Sequence, residues 1–192
     1  MPASLRIFPA FEQVENPGRL ARSSKMSKLP RVSRPLERLA MQGAQADVVL
    51  HVRRLLRAPQ EMVFAAMTRA DMMSRWMCPE SFILSAVHSD PRTGGSFGIE
   101  MRSPEGVTYK AAGIYLELRP HELLIYTWTW AEGHTMPNIE TVVRVELSPR
   151  GAETLMEMTH SGLTSEEERA AHETGWNGAF DKLEALLDEH RA

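Results

Sequence analysis

The sequence contains a single cysteine, Cys78, in 192 residues. A disulfide framework is therefore excluded, and a reducing compartment, the cytoplasm, is the expected location. Long apolar runs are lacking as well. None approaches the ~20 residues a helix needs to cross a bilayer, so no membrane insertion is expected. The N-terminal region also has no continuous apolar centre of the kind a secretory signal carries. Nor is there an excess of positive charge. Lys and Arg number 22 against 25 Asp and Glu, a net charge of -3, which argues against nucleic acid as a partner. The seven histidines and Cys78 show no His-x-x-x-His or Cys-x-x-Cys spacing, so neither a metal nor a cofactor is expected. There is no Gly-x-Ser-x-Gly elbow, phosphate loop or dinucleotide fingerprint; the run Gly94-Gly95-Ser96-Phe97-Gly98 lacks the required spacing.

What is present divides into two parts. Residues 1–45 carry eight basic and three acidic side chains, net +5, and leave -8 for the remainder. Pro2, Pro9, Pro17, Pro30 and Pro35 fall in the same stretch, with little helical or strand periodicity. This reads as a disordered extension unable to bury enough apolar surface to fold. Residues 46–192 read as one folded domain.

In that domain the apolar pattern follows a clear order. Val48, Val49, Leu50 and Val52 mark a strand, and Pro59 suits the start of a helix. Met62, Val63, Ala66 and Met67 recur at helical spacing. A second short helix spans 69–77 and is stopped by Pro79. Six strands are then expected at 81–89, 96–103, 107–119, 123–130, 139–148 and 154–162. The third of them carries Gly113, expected to mark a bulge or bend. Alternation puts Phe97, Ile99 and Met101 on one face of one strand, and Met156, Met158 and His160 on one face of another. A long helix closes the chain, capped by Thr164 or Ser165 with acids in its first turn. Trp176, Phe180, Leu183 and Leu187 form its apolar stripe. Gly175 and Gly178 weaken this helix and imply that something approaches it closely. The class is α+β: a curved antiparallel sheet of six to seven strands wrapped round the C-terminal helix, with two short helices after the first strand.

Several local patterns, taken in order, resemble one family. Ala58-Pro59 ends a strand and is followed by Val63-Phe64 and Thr68. Trp76 precedes Pro79. Asp90, Arg92, Gly94 and Gly95 make an Asp-x-Arg-x-Gly-Gly turn. Gly113 lies in the long strand. Pro120, Glu122, Leu123 and Tyr126 lead into an aromatic strand, and Gly175-Trp176 sits in the last helix. The set is similar to the START-like (SRPBCC) superfamily with its helix-grip fold, and within it to the activator of heat-shock protein 90 ATPase homologues of C-terminal-domain type. The resemblance covers about residues 47–190.

That resemblance implies a chamber between sheet and helix. Its expected lining is Trp76, Phe82, Phe97, Ile99, Met101, Trp128, Val143, Met156, Met158, His160, Trp176 and Phe180, with the twelve methionines suited to an adaptable wall. The function expected is binding of a small apolar or amphipathic ligand, lipid-like or planar aromatic, in a stress-related or regulatory setting. Two alternatives stay open. One is a cyclase- or hydrolase-type enzyme, for which Glu100, Tyr109, Tyr126 and His160 are the available polar groups and no catalytic residue is assigned. The other is a stimulator of the heat-shock protein 90 ATPase, with the chaperone as partner. Both a homodimer and a monomer are compatible with the sequence.

Overall fold

The computed structural model describes residues 48–131 and 134–190. The extension expected over residues 1–45 lies outside them. Strand β1 (Val48–Leu56) alternates as its sequence demands: Leu50, Val52 and Leu56 face inward, while His51, Arg53 and Leu55 face out. Pro59, in extended conformation, begins helix α1 (Gln60–Thr68), whose last hydroxyl, on Thr68, returns a hydrogen bond to the Phe64 carbonyl. The second helix is shorter than its pattern suggests. Regular α-geometry covers only α2 (Ala70–Met73), after which the Arg75 and Trp76 amides bond three residues back instead of four. The Ser74 hydroxyl, bonded to the Asp71 carbonyl, competes with the helical ladder there.

The remaining strands are β2 (Ile83–Ser89), β3 (Ser96–Arg102), β4 (Thr108–Arg119), β5 (Leu123–Trp130), β6 (Glu140–Arg150) and β7 (Glu153–Leu163). With β1 they make one seven-stranded antiparallel sheet in the order β1-β7-β6-β5-β4-β3-β2. Helix α3 (Glu166–Glu189) closes the domain. Ser165 caps it, accepting from the Glu168 amide at 3.2 Å, and three glutamates occupy its first turn. Its buried face presents His172, Trp176, Phe180, Leu183 and Leu187 to the core, which is a helix-grip arrangement.

The Asp90–Gly95 turn does structural work. Gly94 has φ +81°, which costs a side-chain-bearing residue, and a Cβ on Gly95 would overlap the Asp90 carbonyl oxygen. The turn is then pinned to β4 by the Gly94 amide on the Tyr115 carbonyl (2.7 Å) and the Tyr115 amide on the Gly95 carbonyl (2.9 Å). The register shift in β4 falls between Tyr115 and Glu117, two residues past the position the sequence suggests. Gly113 serves a different need: a Cβ there would overlap the Thr127 carbonyl oxygen and press on the Phe97 ring. Its small size lets β5 and Phe97 approach.

Candidate functional site

Between the inward face of the sheet and α3 lies a cleft of about 250 Å³. Strand β5 builds one wall. Trp128 and Trp130 are two residues apart and share that face, edge-on to each other with ring centroids 5.3 Å apart. Helix α3 builds the opposite wall with His172 and, one helical turn on, Gly175 and Trp176. The Trp176 ring lies 5.3 Å from Trp128 and stacks on Phe180 below it at 5.4 Å. Phe82, tilted against Tyr109 at 5.8 Å, closes one side together with Met77, Cys78 and Pro79. His134 lies flat on Trp130, with centroids 4.3 Å apart and planes within 3°, and closes another.

Of the twelve residues the sequence points to, Phe82, Met101, Trp128 and Trp176 line this cleft. Trp76, Phe97, Ile99, Val143, Met156, Met158, His160 and Phe180 sit in the packed core instead. The reason is the thickness of the layer. Trp76 and Phe180 stack at 6.0 Å, and Phe97 is ringed by Tyr115, Tyr126 and Trp128 within 6 Å, so aromatic volume fills the space behind the cleft. Alternation along a strand identifies an inward face, but not where that face stops being packed. Tyr109, Trp130, His134 and His172 complete the wall. Trp130 was visible as the end of an aromatic strand. His134 lies in a loop, and His172 needs the helix phase of α3, one turn before Trp176.

The polar groups near the cleft are mostly committed. Trp176 Nε1 donates to His160 Nδ1 (3.2 Å), so the His160 proton resides on Nε2, which faces Thr141 Oγ1 at 2.8 Å. Thr141 in turn donates to the Trp128 carbonyl at 2.8 Å. His160 is fully buried, and burial, reinforced by the nearby His172, lowers its pKa to about 3. It is a neutral positioning residue that sets the Trp176 ring. Trp130 Nε1 donates to His172 Nε2 (3.0 Å), leaving the His172 proton on Nδ1, 2.8 Å from the Glu168 carbonyl oxygen. His134 Nδ1 accepts from the Met136 amide at 3.1 Å, so its proton lies on Nε2. Burial holds the His134 pKa below the ordinary histidine range. Beneath the rim, Lys182 Nζ reaches the carbonyls of Pro79 (2.8 Å) and Phe82 (3.1 Å) and Cys78 Sγ (3.2 Å). Among the described residues no Asp, Glu, Lys or Arg lines the cleft.

Among the described residues no group of three or more His, Cys, Asp or Glu could hold a metal ion. No described helix is long and apolar enough to cross a membrane.

A family model described as Activator of Hsp90 ATPase homolog 1-like protein matches residues 57–188, which run from just after β1 to within a residue of the end of α3. The chain belongs to this family. Its structural relatives agree on the fold. The AHSA1 protein of Silicibacter pomeroyi is 25% identical with a TM-score of 0.68, covering 74% of this chain and 99% of its own. A protein of Chromobacterium violaceum is 25% identical with a TM-score of 0.67, covering 72% and 96%. One of Nitrosomonas europaea is also 25% identical, with a TM-score of 0.62 and coverage of 74% and 96%. No curated protein matches the chain. This AHSA1-like, helix-grip domain therefore places its open space where the sheet faces α3.

Proposed function

We propose that this chain binds a small, planar, apolar or amphipathic molecule in the cleft between the sheet and α3. The observation that carries the reading is the cleft wall itself: three tryptophans, a tyrosine and a phenylalanine, with no Asp, Glu, Lys or Arg among the described residues. Apolar concavities with few polar groups are the usual form of small-molecule sites, and flat rings offer their faces to flat ligands. The cleft volume of about 250 Å³ lies just below the roughly 300–1,000 Å³ usual for such sites, so the ligand is small. Binding is favoured over catalysis because His160 and His172 each direct both ring nitrogens to protein partners. Among the described residues no carboxylate or ammonium lines the cleft to pair with His134 or Tyr109 in acid–base work.

The test is a titration of the full chain with fatty acids and planar aromatic compounds, followed by tryptophan fluorescence and melting temperature. Saturable quenching with a raised melting temperature is expected, since a ligand that prefers the native state must stabilise it. Ala171→Trp, at an exposed position on the cleft mouth, should block binding without loss of folding. Absence of any response across both compound classes sinks the reading and shifts weight to a protein partner such as a chaperone.

A further inference from the structure

Four tryptophans occur in the chain, and three of them spend the indole N–H on a protein acceptor. Trp76 donates to the Ala66 carbonyl (2.8 Å), Trp130 to His172 (3.0 Å) and Trp176 to His160 (3.2 Å). Trp128 stands apart. Its Nε1 is buried and has no partner among the described residues, although the residue is part of the cleft wall. An indole nitrogen can only donate. A buried donor left unpaired is destabilising, and native interiors rarely keep one unless a water, ion or ligand completes it.

We infer that the acceptor missing at Trp128 is supplied by the ligand, and that the cleft selects a neutral molecule carrying a carbonyl-type oxygen. This rests on the reading of the cleft as a ligand site. Neutrality follows from the surroundings. A carboxylate in the cleft would meet no lining Lys or Arg among the described residues, and the nearby Lys182 has directed its ammonium to the Pro79 and Phe82 carbonyls and to Cys78. Burying an anion without a counter-charge is strongly unfavourable. Two further donors line the cleft. His134 carries its proton on Nε2, because Nδ1 accepts from Met136, and Tyr109 brings a hydroxyl to the wall. The buried, unpaired hydroxyl of Tyr126 is not on the cleft wall and plays no part.

The experiment uses three probes on one tricyclic frame: fluorene, 9-fluorenone and fluorene-9-carboxylate. Binding to the full chain is measured by calorimetry. 9-Fluorenone should bind about tenfold more tightly than fluorene, the order expected of one buried hydrogen bond, and the carboxylate should bind weakest. Trp128→Phe should abolish the preference for the ketone, bringing ketone and hydrocarbon to one common, weaker affinity. A measurement on the unmutated chain guards against misfolding of that variant: the Trp128 indole N–H proton resonance should move downfield with 9-fluorenone and much less with fluorene. Equal affinity for ketone and hydrocarbon, tightest binding of the carboxylate, or an unmoved indole proton overturns the acceptor assignment and leaves the cleft as a site. Failure of all three probes to bind overturns the acceptor assignment, and failure of the fatty acids as well overturns the reading of the cleft as a site.

Discussion

The indole N–H of Trp176, on α3, donates to Nδ1 of His160, on β7, at 3.2 Å. The bond ties the helix to the sheet and continues through Thr141 to the backbone of Trp128, so one wall of the cleft is hydrogen-bonded to the other. It also requires His160 to stay neutral, because protonation would place a second donor against the indole.

Stability should depend on pH through that ring. The pKa of His160 in the folded chain is lowered to about 3, chiefly by burial, from an ordinary value of 6.5. Below pH 6.5 the unfolded chain therefore binds a proton that the native chain refuses. The stabilisation is fully present above 6.5 and is lost as pH falls towards 3, with a limiting slope of about 1.4 kcal/mol per pH unit. His134, also lowered by burial, acts in the same direction. Urea unfolding at pH 7, 6 and 5 should show a shallower slope for His160→Gln than for the parent chain. An identical slope would refute the assignment of the acid sensitivity to His160.

Two glycines on α3 should respond oppositely to alanine. A Cβ on Gly178 would meet the Glu80 amide nitrogen at 2.9 Å, a backbone atom that cannot easily yield. A Cβ on Gly175 would meet only the Pro79 ring at 3.7 Å, an ordinary contact. Gly175→Ala should raise the unfolding free energy by up to about 1 kcal/mol through helix propensity. Gly178→Ala should lower it by about 1–3 kcal/mol, as overpacking does. Thermal melts of both variants decide the matter, and a common sign would contradict the close approach.

Lys182 should act as the anchor of the Cys78–Phe82 turn. Lys182→Met keeps the aliphatic stem but leaves the Pro79 and Phe82 carbonyls without their ammonium donor. A loss of about 1–3 kcal/mol in chemical denaturation is expected. Ligand affinity should fall further than stability does, because Pro79 and Phe82 line the cleft. Unchanged affinity would detach the turn from the site.

Arg54 links β1 to α3 through Asp181 (3.0 Å), Glu184 (3.2 Å) and Asn177 Oδ1 (2.9 Å). Its side chain is only a quarter exposed, so the network should contribute more than an isolated surface pair, yet its acidic partners remain partly solvated. Arg54→Met should cost about 1 kcal/mol at low salt, and the difference from the parent should shrink in 1 M NaCl, where the Debye length is ~3 Å. A salt-independent difference would instead assign the loss to packing.

Much of the architecture was legible from local chemistry. Period-two alternation marked the strands, Pro59 and Ser165 marked helix starts, and the buried stripe of α3 followed from Trp176, Phe180, Leu183 and Leu187. Each signal acts over a few residues, so a linear reading can find it. The cleft was less legible. Phe97 and Met101 lie on the same face of the same strand, yet only Met101 reaches the open space; Tyr115, Tyr126 and Trp128 crowd round Phe97.

The sequence by itself determined which side chains point inward, because Cβ direction follows from backbone periodicity. Only the tertiary structure decided which of them meet packed neighbours and which meet a void. It also decided that His160 and His172 have both ring nitrogens occupied, while the Trp128 donor has no partner among the described residues. Those outcomes depend on strands and helices brought together from distant parts of the chain, and on how volumes from different elements sum at one place. That sum is not a property of any short stretch.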